Sequence, residues 1–298
     1  AKGEIFSGLA ANGIALYNQD TKYASKWQWR LTDKQVRTFS CANTHIDTND
    51  QKIECTDGPV NANCYSSNVH LDDNGCASFT LQTSLGQCAI KLNVPGNHNV
   101  CNAVAAAAAA IECGASLNDI RLGLAEMTPV KGRLNIHHLV NKSSTQEIKL
   151  IDDTYNANVE SIKAAISLLA NYSGQQILIL GDMGELGSDA RSYHQEVGEF
   201  AKEQGIDVLF TLGVLSQSTS DAFAHKNEAM SMHFSERKNL STYLFSQLEQ
   251  NKKDQESNIN ILVKGSRSAH MEYVVEDITS WHANRYEDST RLTPEDNT

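Results

Sequence analysis

Residues 177–187 read ILILGDMGELG, an apolar run followed by a glycine-rich segment. The first four residues, Ile177–Leu180, are all apolar, which is typical of a strand that is buried on both faces. A glycine-rich turn follows, and a helix is predicted after Ser188. A strand of this kind needs helices on both sides of its sheet, so the stretch predicts an α/β domain with a mainly parallel sheet.

The same alternation of strand and helix recurs around this stretch. Further predicted strands are Ile148–Asp152, Val208–Leu212 and Ile259–Val263. Apolar residues with helical spacing mark the helix that begins near Asn158; they are Ile162, Ala165, Ile166 and Leu169. The helix after Ser188 is predicted to place four residues on one face, namely Tyr193, Val197, Phe200 and Ala201. Strands joined through helices imply right-handed crossovers and parallel neighbours.

The first part of the chain has a different pattern of apolar and polar residues. Residues 36–94 alternate in the manner of strands, and an Ala-rich helix is predicted from Asn99 to Cys113, with Gly114 ending it. The alternating strand and helix units begin only after Arg133. We therefore predict two domains, residues 1–133 and 134–298.

Composition excludes two classes of partner. Lys and Arg number 25 against 36 Asp and Glu, so the net charge is −11, which disfavours nonspecific binding to nucleic acid or to anionic membranes. The longest apolar stretch, Ala103–Ile111, is about half of the roughly 20 residues that a bilayer span needs, so no membrane insertion is predicted. No signal peptide opens the chain, and a cytoplasmic location is expected. The start at Ala1, without Met, predicts a fragment.

The cysteines carry no recognisable metal or redox motif. All seven lie within the first 113 residues, at irregular spacings and without a CxxC pair. The odd count argues against a complete disulfide framework. We expect reduced thiols, with one bridge left open by the sequence.

Three predicted strands end in polar turns, where ligands of doubly wound sheets collect. The first turn, Asp152–Asn158, offers vicinal carboxylates to ribose hydroxyls or a metal, or Asn158 only caps the next helix. In the second, the glycines of GDMGELG stand at i, i+3 and i+6, which does not match the GxGxxG of an NAD-dependent oxidoreductase. Its Asp182 and Glu185 favour an ammonium group or a cation over a pyrophosphate, unless the segment is a plain turn.

The third turn, Lys264–Ser268, combines two cations and two hydroxyls before a helix. This combination favours a carboxylate or phosphate ligand, the alternative being exposed surface charge. In the first domain, Asn99 begins the Ala-rich helix and either caps it or faces a ligand. Asn102, one turn later, is suited to pairing with an adenine edge.

Six segments, taken in order, resemble the Mur ligases of bacterial cell-wall synthesis. They are AKGEIFSGL (1–9), PGNHNVCNAVAAAA (95–108), GR (132–133), DDTYNANVES (152–161), GDMGELG (181–187) and VKGSRSAHME (263–272). The last two are most similar to the members that add D-alanyl-D-alanine. The resemblance implies the later part of a central ATPase domain, incomplete here, followed by a C-terminal Rossmann-like domain. No GxxxxGK[ST] motif occurs in the chain.

The resemblance also implies roles for individual residues. Lys2 matches a carbamylated lysine that helps to hold Mg2+ and is the catalytic candidate. The positions expected to contact ATP are Asn99, Asn102, Arg133 and Asp153, with Asn102 at the adenine and Asp153 at the ribose. The positions expected on the substrate side are Tyr155, Asn156, Asn158, Asp182, Glu185, Lys264, Ser266 and Arg267. Arg267 is expected to bind the carboxylate of the dipeptide, and Asp182 or Glu185 its ammonium group.

The implied reaction is ATP-dependent formation of an amide bond. ATP phosphorylates the carboxylate of UDP-N-acetylmuramoyl-tripeptide, and the amine of D-alanyl-D-alanine attacks the acyl phosphate. Without a P-loop, the chain alone is not expected to catalyse this reaction. The alternative is a noncatalytic module that binds a nucleotide or a peptide through its Rossmann-like domain.

Overall fold

The computed structural model describes residues 2–41, 62–140, 147–224, 230–250 and 258–286. It divides the chain into two compact units, Ala1–Thr128 and Pro129–Thr298, each with its own sheet. The sequence prediction placed the boundary at Arg133, inside the second unit. Most of the loop-rich segment predicted between Cys41 and Cys76 lies outside the described residues.

The first unit contains a five-stranded sheet in the order β1-β2-β3-β4-β5. Its strands are β1 (Ile14–Asn18), β2 (Gln35–Ser40), β3 (Cys64–Leu71), β4 (Cys76–Thr83) and β5 (Gly86–Pro95). Its α-helices are α1 (Ala24–Gln28), α2 (His98–Glu112) and α3 (Leu117–Ala125). Strands β1, β2 and β3 are parallel to one another. Strand β4 is antiparallel to both of its neighbours, β3 and β5.

The Ala-rich helix α2 forms as predicted and packs on this sheet. Its buried face consists of small residues that allow a close approach; they are Val100, Ala103, Val104, Ala107 and Ala108. Gly114 has a φ of +90°, the left-handed conformation of a residue just past a helix end. The helix starts one residue earlier than predicted, and Asn97 is its N-cap, so the capping role considered for Asn99 is wrong.

The expectation that all the cysteines are reduced is wrong for one pair. Cys41, directly after β2, forms a disulfide with Cys101 in the first turn of α2, across 60 positions of sequence. The spacing of the cysteines could not reveal this pair, because the packing of α2 against β2 brings the two residues together. The free cysteines among the described residues include Cys64, where burial raises the pKa of the thiol to about 12.

The second unit contains a six-stranded sheet in the order β10-β9-β8-β11-β7-β6. Its strands are β6 (Asn135–Val140), β7 (Glu147–Asp153), β8 (Gln175–Gly181), β9 (Val208–Leu212), β10 (Met230–Phe234) and β11 (Ile259–Lys264). All neighbours are parallel except β6 and β7. The predicted fold class, α/β with a mainly parallel sheet in the C-terminal domain, is confirmed.

Helices cover both faces of this sheet. They are α4 (Val159–Ala170), α5 (Ala190–Glu203), α6 (Gln217–Ala224), α7 (Arg237–Gln250) and α8 (Glu272–Tyr286). Leu178 and Leu180 of β8 pack with α4 and α5, whereas Ile177 and Ile179 pack with α7 and α8. The four residues predicted as the inner face of α4 are all buried. In the described ranges, no helix has the length and hydropathy needed to cross a bilayer.

Candidate functional site

The polar turns after β7, β8 and β11 lie at one edge of the second sheet. The register aligns Lys264, the last residue of β11, with Asp153 of β7 on one side and Leu180 of β8 on the other. Because parallel strands present their carboxyl ends at the same edge, the three motifs that the sequence singled out are brought together here.

An ion pair joins the ends of β7 and β11. Lys264 Nζ lies 2.6 Å from Asp153 Oδ2, and the two side chains are only 3% and 13% exposed. The same ammonium donates to the backbone oxygen of Asn156 at 2.9 Å. Burial raises the pKa of the Asp153 carboxyl, although the Lys264 charge and a backbone hydrogen bond from Leu134 oppose this shift. Lys264, expected on the substrate side, therefore points into the protein and holds the β7 turn.

The rest of the β7 turn is held mainly by its own hydrogen bonds. Asp152 Oδ1 accepts from the backbone N–H and the hydroxyl of Thr154, at 3.2 and 2.6 Å. Asn158 caps α4 by accepting from the Ser161 N–H at 2.8 Å, as the alternative interpretation proposed. Asn156 Oδ1 accepts from the N–H of Ala157 at 2.9 Å. Asn156 and Asn158 are nevertheless exposed.

Arg133 lies over the aromatic ring of Tyr155, with its guanidinium carbon 4.2 Å from the ring centre. Gly132 makes this approach possible, because its backbone oxygen accepts from the Tyr155 N–H at 2.8 Å and its φ is +74°. A Cβ at Gly132 would lie 3.0 Å from the Tyr155 nitrogen. Arg133 and Tyr155 are both exposed, so a cation stacked on an aromatic ring is accessible to solvent near the end of β7.

Asp182 begins the turn after β8 and is bound by backbone groups. Its Oδ1 accepts from the Ser216 N–H at 2.8 Å and its Oδ2 from the Val214 N–H at 3.0 Å. Burial opposes ionisation, but hydrogen bonds from the turn before α6 outweigh it and lower the pKa of the Asp182 carboxyl. Glu185, in contrast, is exposed and has a φ of +59°.

The lowered pKa of Asp182 predicts a pH-dependent contribution to stability. A carboxyl whose pKa is lower in the folded chain stabilises it above the unfolded value of about 3.9 and loses this effect as the pH falls through the folded value. We expect Asp182→Asn to be less stable than the parent at neutral pH, and the difference to shrink below about pH 4. Urea unfolding of both chains across this range would test it; a difference independent of pH would contradict the prediction.

Ser266 and Arg267 lie in the turn after β11. The Ser266 N–H donates to the Asp182 backbone oxygen at 2.9 Å, which places the turns after β8 and β11 side by side. Ser266, expected on the substrate side, is only 4% exposed, and its Oγ is 3.0 Å from Ser268 Oγ, so this hydroxyl is used within the turn. Arg267 is 66% exposed, and one of its nitrogens lies 3.1 Å from Glu272 Oε1. An arginine in this position can bind a carboxylate from solvent.

The remaining predicted residues belong to the first unit. Asn99 donates to the Pro95 backbone oxygen at 2.7 Å, and Asn102 donates to Asn99 Oδ1 at 2.9 Å. Asn102 is exposed. Lys2 begins a 3-10 turn (Lys2–Gly8), but its side chain lies outside the described residues. Within the described ranges, no three His, Cys, Asp or Glu residues form a group that could hold a metal ion.

The sequence interpretation missed one polar residue that supports the site. His194 of α5 is 1% exposed; its Nε2 accepts from the Met183 N–H at 3.0 Å, and its Nδ1 lies 2.7 Å from the Ala190 backbone oxygen. The imidazole ring therefore connects α5 to the GDMGELG turn through its hydrogen bond with Met183. The only signal for this role in the sequence is that His194 directly follows Tyr193, which is predicted to lie on the buried face of the helix.

Family models match both units. The Mur ligase middle domain matches residues 1–110, and the glutamate ligase domain of Mur ligases matches residues 132–267. The UDP-N-acetylmuramoyl-tripeptide–D-alanyl-D-alanine ligase of Escherichia coli is 39% identical over 275 residues, which are 92% of this chain and 54% of that protein. The Haemophilus influenzae protein of the same name is 35% identical over 280 residues, 92% of this chain and 53% of its own length.

Solved structures agree with these matches. A crystal structure of MurF from Acinetobacter baumannii has a TM-score of 0.77 at 27% identity and covers 94% of this chain and 54% of that one. MurF from Thermotoga maritima in complex with ADP shares the fold, with a TM-score of 0.72 at 18% identity over 95% of this chain and 57% of that one. The chain spans about half the length of the curated relatives it matches. With both units matched in order, the chain belongs to the Mur ligase family.

Proposed function

We propose that the chain is part of a cytoplasmic, ATP-dependent ligase of peptidoglycan precursor synthesis that adds D-alanyl-D-alanine to UDP-N-acetylmuramoyl-tripeptide. Relatives with this name match 92% of the chain. The observation that carries the proposal is the edge of the second sheet, where the DDTYNANV, GDMGELG and KGSRS turns meet. The Lys264–Asp153 ion pair and the Asp182–Ser266 hydrogen bond join these three turns.

The nucleotide side of the proposal rests on Arg133 and Asp153. Arg133 is an exposed cation held against Tyr155, and such a group suits the phosphates of ATP. Asp153, proposed for the ribose, is 13% exposed and already paired with Lys264, so Lys264 orients the carboxylate that the ribose would meet. In the first unit, Asn102 is exposed and its amide nitrogen donates to Asn99, so its carbonyl oxygen is the atom that would accept from an adenine amino group.

When bound, ATP supplies the phosphoryl group that activates the tripeptide carboxylate. The described residues fit a nucleotide, but they do not by themselves fit Mg2+, because no acidic cluster of the required kind occurs among them. The metal role therefore depends on Lys2, which would become a carboxylate ligand only if carbamylated. The part played by the second unit is to bind and orient the nucleotide and the dipeptide.

The dipeptide side of the proposal rests on Arg267 and Glu185. Arg267 offers planar donors to the terminal carboxylate of D-alanyl-D-alanine. Glu185 is an exposed carboxylate on the neighbouring turn and suits the dipeptide ammonium, which must lose a proton before it attacks the acyl phosphate. The exposed Tyr155, Asn156 and Asn158 border the same edge.

Calorimetry with ATP and Mg2+ tests the proposal. The chain alone is compared with the chain joined to the preceding half of the Escherichia coli relative. We expect weak or no binding to the chain alone, at least about tenfold tighter binding to the joined chain, and, once UDP-N-acetylmuramoyl-tripeptide is also supplied, phosphate release that depends on D-alanyl-D-alanine. Turnover by the chain alone would contradict the proposed incompetence, and nucleotide binding without any turnover in the joined chain would favour a noncatalytic module.

Replacement of Arg267 by alanine tests the dipeptide site. Loss of a charge-assisted hydrogen bond costs about 1.5–3 kcal/mol, so the Kd for D-alanyl-D-alanine in the joined chain is expected to rise about 10-fold or more, with ATP binding unchanged. Arg285→Ala is the matched control, because Arg285 is also an exposed arginine that forms an ion pair, with Glu249 at 2.7 Å. Equal affinities in all three chains would contradict the assignment of Arg267.

A further inference from the structure

We infer that Asp182 is a positioning residue, whose carboxylate holds the turn between β9 and α6, and that it does not bind the ammonium group of the dipeptide. The inference rests on the proposed function and deepens it. Of the two acidic residues in the GDMGELG turn, it assigns Glu185 alone to the ligand.

The first line of support is the set of groups that the carboxylate binds. Its two oxygens accept from the N–H groups of Val214 and Ser216, at 3.0 and 2.8 Å, in the turn that leads into α6. An anion at this place is stabilised by the helix dipole, and in α/β domains the same place commonly holds a phosphate. Here the protein supplies the anion itself.

Gly213 provides independent support. Its φ is +138°, and a Cβ at this residue would lie 2.3 Å from Asp182 Oδ1. Only a glycine allows the backbone to approach the carboxylate this closely. The turn is therefore built around the Asp182 side chain.

The backbone of Asp182 extends the connection to a third strand. Its oxygen accepts from the Ser266 N–H at 2.9 Å, so one residue joins the ends of β8, β9 and β11. An ammonium group that bound the Asp182 carboxylate would compete with the N–H groups of the β9–α6 turn for its oxygens and weaken the hydrogen bonds that they already make. Weakening is most costly for the partly buried hydrogen bond from Ser216. Glu185 is exposed and its binding of a ligand breaks no such contact.

Chemical rescue of Asp182→Ala tests the inference on the whole chain. The substitution removes a carboxylate and leaves two N–H groups facing the space, and formate has the size and charge to fill it. We expect the equilibrium constant for folding to fall at least about tenfold and to recover in a saturable way with sodium formate, but not with sodium chloride of the same ionic strength. The amide resonances of Val214 and Ser216 are expected to return towards their parent positions.

Glu185→Ala is the matched control, since it removes an acidic side chain from the same turn. It should change stability little and should not respond to formate. An Asp182→Ala chain with unmoved Val214 and Ser216 amides and no formate response would overturn the inference, and so would equal rescue of Glu185→Ala.

A second readout needs no variant, which matters if Asp182→Ala does not fold. In the parent chain, the amides of Val214 and Ser216 are expected to titrate together with the side-chain carbon of Asp182 as the pH is lowered, with a midpoint below the unfolded value of about 3.9. If the amide resonances of Val214 and Ser216 do not shift as Asp182 titrates, the inference is overturned. None of these measurements requires ATP or a dipeptide, so their failure is distinguishable from a failure of the proposed function.

Discussion

Replacement of Lys264 by methionine is expected to lower the free energy of unfolding of the second unit by about 3–5 kcal/mol. The ammonium is 3% exposed and is the charged partner of the buried Asp153 carboxylate, so its removal leaves that carboxylate without compensation. Methionine keeps a similar length and apolar character, which limits the change in packing. Hydrogen exchange of peptides from β8 and β11 at increasing urea concentrations would measure the loss.

Two further chains isolate the charge effect. Lys163→Met removes a lysine from a more exposed pair with Glu196, where a loss of about 0–1 kcal/mol is expected. Adding Asp153→Leu to Lys264→Met removes both charges and should recover most of the stability. A Lys264→Met chain that is no less stable than Lys163→Met would contradict the buried ion pair.

Replacement of Phe210 by alanine is expected to cost about 3–5 kcal/mol. Phe210 is 1% exposed at the centre of β9, and its ring meets those of Phe234 and Tyr243 edge to face, at 5.9 and 5.7 Å between centres. The cavity would lie between β9, the edge strand β10 and α7, so these elements should lose protection from hydrogen exchange first. Urea unfolding followed by exchange of peptides from β9 and β10 would measure both effects.

The control is Phe245→Ala, because Phe245 is only partly buried where it stacks on Trp281. It should cost clearly less than Phe210→Ala. If both substitutions had the same cost, the stability would not depend on burial of the β9 ring, and the packing described for this face of the sheet would be contradicted.

The sequence revealed the central strands and helices, because their apolar patterns are long and clear. It missed β10 and α6. The first of these is a half-buried edge strand without clean alternation, and the second is rich in serine and threonine. The antiparallel strand β6 was missed for the same reason as β10. Hydrophobic patterning detects burial of apolar side chains, and these elements offer little of it.

Polar burial explains the errors within the site. The pattern placed Tyr193 on the inner face of α5, but the neighbouring His194 is the buried residue, because backbone groups satisfy both of its ring nitrogens. The sequence likewise showed that Asp153, Asp182 and Lys264 stand at strand ends, but not that each is engaged by the protein. Such pairings depend on contacts between residues far apart in the chain, which a local pattern does not contain.

Burial along the whole of β11 has a consequence for how proteins of this kind can diverge. All six residues of the strand are buried, and even Asn260 is used, donating to the Ser173 backbone oxygen at 2.9 Å. A substitution anywhere in this strand therefore changes the packing of a neighbouring residue. The exposed Arg267, just beyond the strand, is not constrained by packing in this way. Natural variation that alters ligand preference is expected to accumulate at the strand ends, while the strand itself changes only together with its neighbours.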